Sequence, residues 1–180
     1  MKKSDFRKET LKHMKNIDKS VKDKADQWLA EQLFSTEEYK NAQKIGIVLA
    51  MDHEVNTYPI IKEIIKQNKQ AFVPATEYST KKMTFQRLTD LSTLAVDEKG
   101  IKYVNAPTEK TDQLDLIIVP GVVFNNYGYR IGYGGGYFDK FLSQHSAATI
   151  SLIYDIQVNN DFTTESHDEK VERLIIAKTK

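Results

Sequence analysis

Apolar residues recur at helical spacing through the start of the chain and then give way to short apolar runs broken by polar turns. Phe6, Leu11, Met14, Ile17 and Val21 lie among lysines and predict two amphipathic helices, over residues 4–17 and 20–33. Ser35-Thr36-Glu37-Glu38 has capping-box spacing and predicts a short helix. The compact apolar run at 44–50 predicts a first buried strand, and 57–68 a helix with Pro59 tolerated in its first turn. A second strand is expected over 70–73, halted by Pro74, and a third over 83–88, which alternates well enough to have one solvated face. Asp97-Glu98-Lys99-Gly100 reads as a turn. Strands are predicted at 115–119, 148–153 and 173–177, with a helix opening at Gly136 between the first two of these.

Strands alternating with helices imply a single α/β domain over residues 1–180. The expected architecture is a Rossmann-like three-layer fold with a mostly parallel sheet and helices on both faces. Ligands of such sheets bind beyond the carboxyl ends of the strands. That rule puts residues 51–56, residues 74–82 and a later glycine-rich loop on one rim. Glu54, just past a buried strand, is then either a ligand-facing carboxylate or an ordinary surface acid.

Charge changes this picture only locally. The chain carries 26 Lys+Arg against 25 Asp+Glu, so its overall field gives no reason to expect nucleic acid. The first 24 residues hold nine Lys or Arg and four acids, which fits a solvated basic helix able to bring one or two cations to a phosphate. The absence of cysteine excludes disulfides, thiol catalysis and cysteine-ligated zinc. No apolar run approaches the ~20 residues that span a bilayer, and no apolar leader follows the charged start. A cytoplasmic monomer without membrane partners is the expectation.

Six of the eight glycines fall between Gly121 and Gly136, between an apolar strand and a helix. Without a Cβ, glycine lets an anion approach the main chain, and a helix N-terminus supplies free N–H groups. Arg130 adds a cationic fork, and Asp139 a carboxylate able to hold a metal beside phosphates. The glycines equally suit a tight strand-to-helix connection. No Gly-Lys-Ser or Gly-Lys-Thr follows, so this is not a P-loop, and a dinucleotide fingerprint starting at Gly132 fails at Tyr137. His53-Glu54 begins like a zinc-protease motif, but Thr57 stands where its second histidine would be. His13, His145 and His167 lie far apart, and no Gly-X-Ser-X-Gly elbow exists. Asp52, Asp139, Asp155, Asp161 and Asp168 are the natural hard-cation candidates, with Asp139 favoured by its place beside the loop.

The string from Val119-Pro120-Gly121 through Gly128-Tyr129-Arg130-Ile131-Gly132-Tyr133-Gly134-Gly135-Gly136-Tyr137-Phe138-Asp139 to Leu142 closely resembles the signature of the 5-formyltetrahydrofolate cyclo-ligase, or methenyltetrahydrofolate synthetase, family. Lys3-Ser4-Asp5-Phe6-Arg7 resembles the family's N-terminal element, and residues 47–57 its folate-side strand and loop. Gln157 with His167-Asp168 resembles its closing segment. The resemblance covers nearly the whole chain.

It implies that Lys3 and Arg7 bind ATP phosphates together with the loop from Arg130 through Gly132, Tyr133, Gly134, Gly135, Gly136 and Tyr137 to Phe138. It implies that Leu49 and Glu54 contact a reduced folate, with Tyr133 to Tyr137 facing it from the other side. Asp139 and Asp168 would coordinate Mg²⁺, and Arg130 and Lys3 would carry the catalytic charge. The substrate implied is 5-formyltetrahydrofolate, with or without a polyglutamate tail. The product would be 5,10-methenyltetrahydrofolate, with ADP and phosphate released. Three positions depart from the family pattern: Phe138 for a usual Tyr, Ala75 for a basic residue, and Glu172 for Asp. The second departure leaves any cation on the 74–82 loop to Lys81 or Lys82. A sugar-phosphate isomerase-like enzyme and a non-catalytic nucleotide or folate sensor remain as alternatives from the residues alone.

Overall fold

The computed structural model describes residues 1–180. The chain opens with α1 (Lys3–Lys15), α2 (Lys19–Phe34) and α3 (Glu37–Asn41). β1 (Lys44–Gly46), α4 (Tyr58–Lys66), β2 (Gln70–Glu77) and β3 (Lys82–Leu88) follow. A hairpin of β4 (Leu94–Val96) and β5 (Lys102–Val104) precedes the edge strand β6 (Lys110–Thr111). After β7 (Leu116–Ile118) comes a second hairpin, β8 (Val123–Phe124) and β9 (Arg130–Ile131). The chain closes with α5 (Tyr137–Gln144), β10 (Ala148–Tyr154) and β11 (Arg173–Ala177).

The central sheet runs β11-β10-β7-β1-β2-β3-β6. Its first five strands pair in parallel, whereas β3 and β6 join antiparallel at one edge. Side-chain alternation divides the core. Ile45, Ala71, Val73, Leu116, Ile118 and Leu152 pack with α2 (Leu29, Leu33) and α4 (Ile60, Ile61, Ile64). The opposite parity (Phe72, Ile117, Val119, Ile153) packs with Phe85, Phe124 and Phe141 of α5. Helices thus cover both faces, as the alternation predicts. The three α4 isoleucines are fully buried, each contributing about 1.5–3 kcal/mol relative to exposure. A third, smaller core docks α1 through Phe6 and Met14 onto Val122, Val123 and Ile131 of the second hairpin, with Phe162 beside them. The apolar stripe of the basic helix therefore fastens its N-terminus next to the glycine loop.

Several local expectations need correction. β2 does not stop at Pro74. The Phe72 carbonyl accepts from Ile47 N–H at 2.9 Å, so residues of that parity, Pro74 included, face β1, and β1 has ended by then. The missing proline N–H leaves no ladder bond unmade, and the strand continues to Glu77 against β3. β1 is only three residues long, with 47–50 extended beyond it. α3 is capped by the Thr36 hydroxyl, which accepts from Tyr39 N–H at 3.2 Å, so the cap is Thr36 and not a Ser35–Glu38 box. The Asp97–Gly100 turn connects a hairpin whose strands, three residues each, are too short to stand out in the sequence. The β8–β9 hairpin lies between β7 and the triple glycine, so the strand does not lead directly into that loop. Gly128 turns this hairpin at φ +94°, where a Cβ would collide with the Val171 carbonyl. The Gly128 carbonyl in turn accepts from Val171 N–H at 2.8 Å, tying the hairpin to the closing segment.

Candidate active site

The sheet order reverses between β1 and β7, and a cleft of about 840 Å³ opens beyond their carboxyl ends. Its size falls in the ~300–1,000 Å³ range of small-molecule sites. All fourteen site residues expected from the sequence line it, drawn from the start of α1, the 49–54 segment, the 130–139 stretch and Asp168.

One wall is cationic. Lys3 and Arg7 stand one helical turn apart on α1 and share a face. Arg7 Nε donates to the Gly132 carbonyl at 2.7 Å, fixing the guanidinium under the loop, with its tips beneath Gly134. Lys3 Nζ lies 3.3 Å from Glu165 Oε1 and 3.5 Å from Asp168 Oδ2. Arg130 leaves β9 with its side chain only 3% exposed, and its Nη1 meets Asp139 Oδ1 at 3.0 Å. Its buried Nε has no partner. A cation so withdrawn from water needs full pairing, and one carboxylate oxygen does not supply it. Anionic oxygen arriving from the cleft would.

The loop between these cations takes a shape that side chains resist. Gly134 and Gly136 have φ +104° and +71°. Gly135 is constrained differently, since a Cβ there would sit 2.8 Å from the Tyr137 ring. Gly136 is the N-cap of α5, and no side chain caps that helix. First-turn N–H groups at the cleft edge are therefore free to receive an anion. Asp139 in that turn also accepts Glu169 N–H at 3.3 Å, bringing the closing segment alongside.

The facing wall is built on a buried threonine. Thr57 Oγ1 donates to the Val48 carbonyl at 2.7 Å and accepts Ala50 N–H at 3.1 Å, folding residues 48–57 into a rigid turn. In that turn Glu54 Oε1 accepts Met51 N–H at 2.8 Å, leaving its second carboxylate oxygen for the cleft. Tyr133 reaches across from the glycine loop, and its hydroxyl lies 2.8 Å from His53 Nε2. Burial, reinforced by the Glu54 carboxylate, pushes the Tyr133 phenol well above its usual range. His53 moves the other way. Burial lowers its pKa against the pull of Glu54, with Lys15 and Lys22 also disfavouring the charged ring.

Asp139 and Asp168 both line the cleft, each already facing a cation. No group of three or more His, Cys, Asp or Glu side chains is arranged to hold a metal. Magnesium carried by nucleotide phosphates needs only one or two protein carboxylates, and this donor set fits that mode rather than a dedicated cage.

The 74–82 segment expected on the rim contributes only part of its length. Pro74, Thr76 and Tyr78 come from β2 and its end, but Lys81 and Lys82 do not reach the cleft. The cation on that side is Lys102 of the β4–β5 hairpin, held by the Tyr58 hydroxyl at 2.7 Å. The Asp97–Gly100 turn was the available signal for this hairpin. Gln157 lies beneath the site, its amide donating to the Gly121 and Val122 carbonyls at 3.2 Å. The incomplete zinc motif is the only signal the sequence carries for His53, which stands beside Glu54 in the turn at the cleft edge. Asp155 and Asp161 do not line the cleft, whereas Asp52 does.

An open, mostly parallel sheet with a cation-walled glycine cleft at its switch point defines an α/β protein that binds phosphate-bearing small molecules. Comparison with known proteins narrows the class. The model of the 5-formyltetrahydrofolate cyclo-ligase family matches residues 1–177, and the chain belongs to that family. A mouse 5-formyltetrahydrofolate cyclo-ligase is 32% identical over 161 residues, covering 82% of this chain and 79% of the mouse protein. A Haemophilus influenzae 5-formyltetrahydrofolate cyclo-ligase is 25% identical, with 97% of each chain covered. The NMR structure of Aquifex aeolicus 5,10-methenyltetrahydrofolate synthetase superposes with a TM-score of 0.85 at 26% identity, covering 100% of this chain and 91% of that one.

Proposed function

We infer that the chain converts 5-formyltetrahydrofolate to 5,10-methenyltetrahydrofolate with cleavage of ATP to ADP and phosphate. The observation that carries this reading at the level of residues is the two-sided cleft. Lys3, Arg7, Arg130 and the loop amides stand on one wall, and Leu49 and Glu54 on the other, with Tyr133 between them.

A formamide carbon is a poor electrophile, because nitrogen donates into it and its oxygen leaves badly. Transfer of the γ-phosphoryl group to the formyl oxygen corrects both faults, and ADP departs. N10 of the same molecule then attacks the formyl carbon, loses its proton, and phosphate leaves. Because that attack is intramolecular, held geometry replaces a second encounter. Phosphoryl transfer asks mainly for positioning and charge stabilisation. Lys3 and Arg7 suit the phosphate chain, and Arg130 the charge developing on the transferred group. Glu54 suits the donor edge of the pterin. Asp139 and Asp168 would hold Mg²⁺, which supplies further charge neutralisation on the phosphates when bound. No side-chain nucleophile is required, in keeping with a chain that has no cysteine.

Residues 1–180 are read as one domain, because α1 and the closing segment both contribute to the same cleft. A cytoplasmic monomer is the proposed working form. No helix is long and apolar enough to cross a membrane.

The deciding experiment follows methenyl absorbance with ADP measured in parallel. Mg·ATP and 5-formyltetrahydrofolate should give one ADP per methenyl formed, and a β,γ-bridged ATP analogue should give neither. Binding of both ligands without product, in a folded protein, would overturn the catalytic reading.

A further inference from the structure

His53 and Tyr133 are 80 positions apart, yet they make the side-chain bridge between the two walls of the cleft, Nε2 to Oη at 2.8 Å. Their rings meet edge to face, with centroids 6.2 Å apart. The two ends of the bridge differ in rigidity. His53 sits in the turn that Thr57 and Glu54 brace through backbone bonds to residues 48–51. Tyr133 sits in a loop flanked by Gly132 and Gly134, whose left-handed φ leaves the backbone many alternatives when untethered. Arg7 holds that loop at one point, the Gly132 carbonyl, and on the phosphate side. On the folate side the Tyr133 hydroxyl meets two groups of the 51–54 turn, the His53 ring nitrogen and the Glu54 carboxylate.

We propose that His53 is a positioning residue: its Nε2–H donates to the Tyr133 hydroxyl and holds the glycine loop against the 51–54 turn, so that the folate end of the cleft is preshaped. The neutral imidazole offers this donor when Nδ1 carries no proton. The Tyr133 hydroxyl proton is then free to point towards Glu54, which ties the folate carboxylate to the loop. The effect falls on the folate side, because Arg7 secures the ATP side independently. This proposal rests on the functional reading above.

A kinetic cycle on the full chain tests it. His53→Ala should raise KM for 5-formyltetrahydrofolate about tenfold while leaving KM for ATP and the melting temperature nearly unchanged. His53→Gln, which can place an amide N–H near the position of Nε2, should restore most of the affinity. Tyr133→Phe should show a similar loss, and the double variant should be no worse than the worse single, since His53 acts through that hydroxyl. Additive losses would overturn the proposal, as would equal changes in both KM values or a Gln variant as poor as Ala. The wild-type assay judges the activity itself: turnover there with an unaffected His53→Ala sinks this inference alone.

Discussion

Arg130 Nη1 and Asp139 Oδ1 meet at 3.0 Å beneath the glycine loop, while the Arg130 Nε, buried in the same place, has no partner. The pair joins β9 to the first turn of α5 and so fixes both ends of the loop. It also holds a guanidinium, by one oxygen, on the wall proposed for the phosphate chain. Arg130→Ala should therefore lower turnover by roughly 10²–10³. Arg130→Lys should recover little, because an ammonium cannot reproduce the fork. Steady-state kinetics of both variants, alongside their melting curves, checks this.

Asp139→Asn separates two roles of the same carboxylate. If it serves magnesium, the Mg²⁺ concentration for half-maximal activity should rise, since hard cations favour charged oxygen. If it serves only Arg130 and the α5 N-terminus, stability should fall with metal dependence intact. A magnesium titration of activity beside thermal melts distinguishes the two, and the first outcome is expected.

The glycines of the loop are not equivalent. Gly135→Val should push the Tyr137 ring out of place, because even a Cβ comes within 2.8 Å of it. Gly134→Ala, at φ +104°, should instead cost roughly 1–3 kcal/mol of backbone strain. Both should weaken Mg·ATP binding in calorimetric titration. Unchanged affinity in folded variants would remove the loop from the phosphate site.

The sequence carried the sheet, the helices and the position of the cleft, because buried parallel strands and amphipathic helices leave continuous periodic signals. It misjudged places where a partner strand decides the outcome. Pro74 looked like a stop, but whether a missing N–H matters depends on whether β1 still runs alongside. The β4–β5 hairpin has three residues per strand, too few for alternation to register, and so Lys102 was missed while Lys81 and Lys82 were expected. Charge alone marked a basic helix at the start of the chain, but which of its cations face the cleft was legible only through family resemblance. Lys3 and Arg7 look like any solvated lysine-rich helix until Phe6 and Met14 are seen to dock α1 beside the loop.

His53 should leave a mark on the pH dependence of stability. Its folded-state pKa is lowered, chiefly by burial, with Lys15 and Lys22 adding to this against Glu54 and Asp52. Above the ordinary histidine value the ring is neutral in both states, and its contribution to stability is fully present. As pH falls from that value through the folded pKa, the unfolded chain takes up the proton first, and the contribution is lost. His53→Gln should thus lose less melting temperature than wild type between about pH 7 and 5. Parallel slopes for the two proteins would count against a half-buried, neutral His53.

Glu54→Gln is the most selective probe of the folate wall. One carboxylate oxygen is committed to Met51 N–H at 2.8 Å, and an amide oxygen can keep that bond, so the turn should survive. The other oxygen is then replaced by an NH₂ group, which meets the pterin's amino and ring N–H donors as a donor itself. A mismatched buried pair of this kind costs about 1–3 kcal/mol, or roughly 5- to 150-fold in affinity. The loss should appear in 5-formyltetrahydrofolate binding, with Mg·ATP binding nearly unchanged, because Lys3, Arg7 and Arg130 lie on the other wall. The same change removes the charge beside Tyr133, which helps hold that phenol above its usual range. Calorimetry with each ligand separately completes the test. An equal loss of both affinities would mean that Glu54 shapes the rim as a whole and does not read the folate.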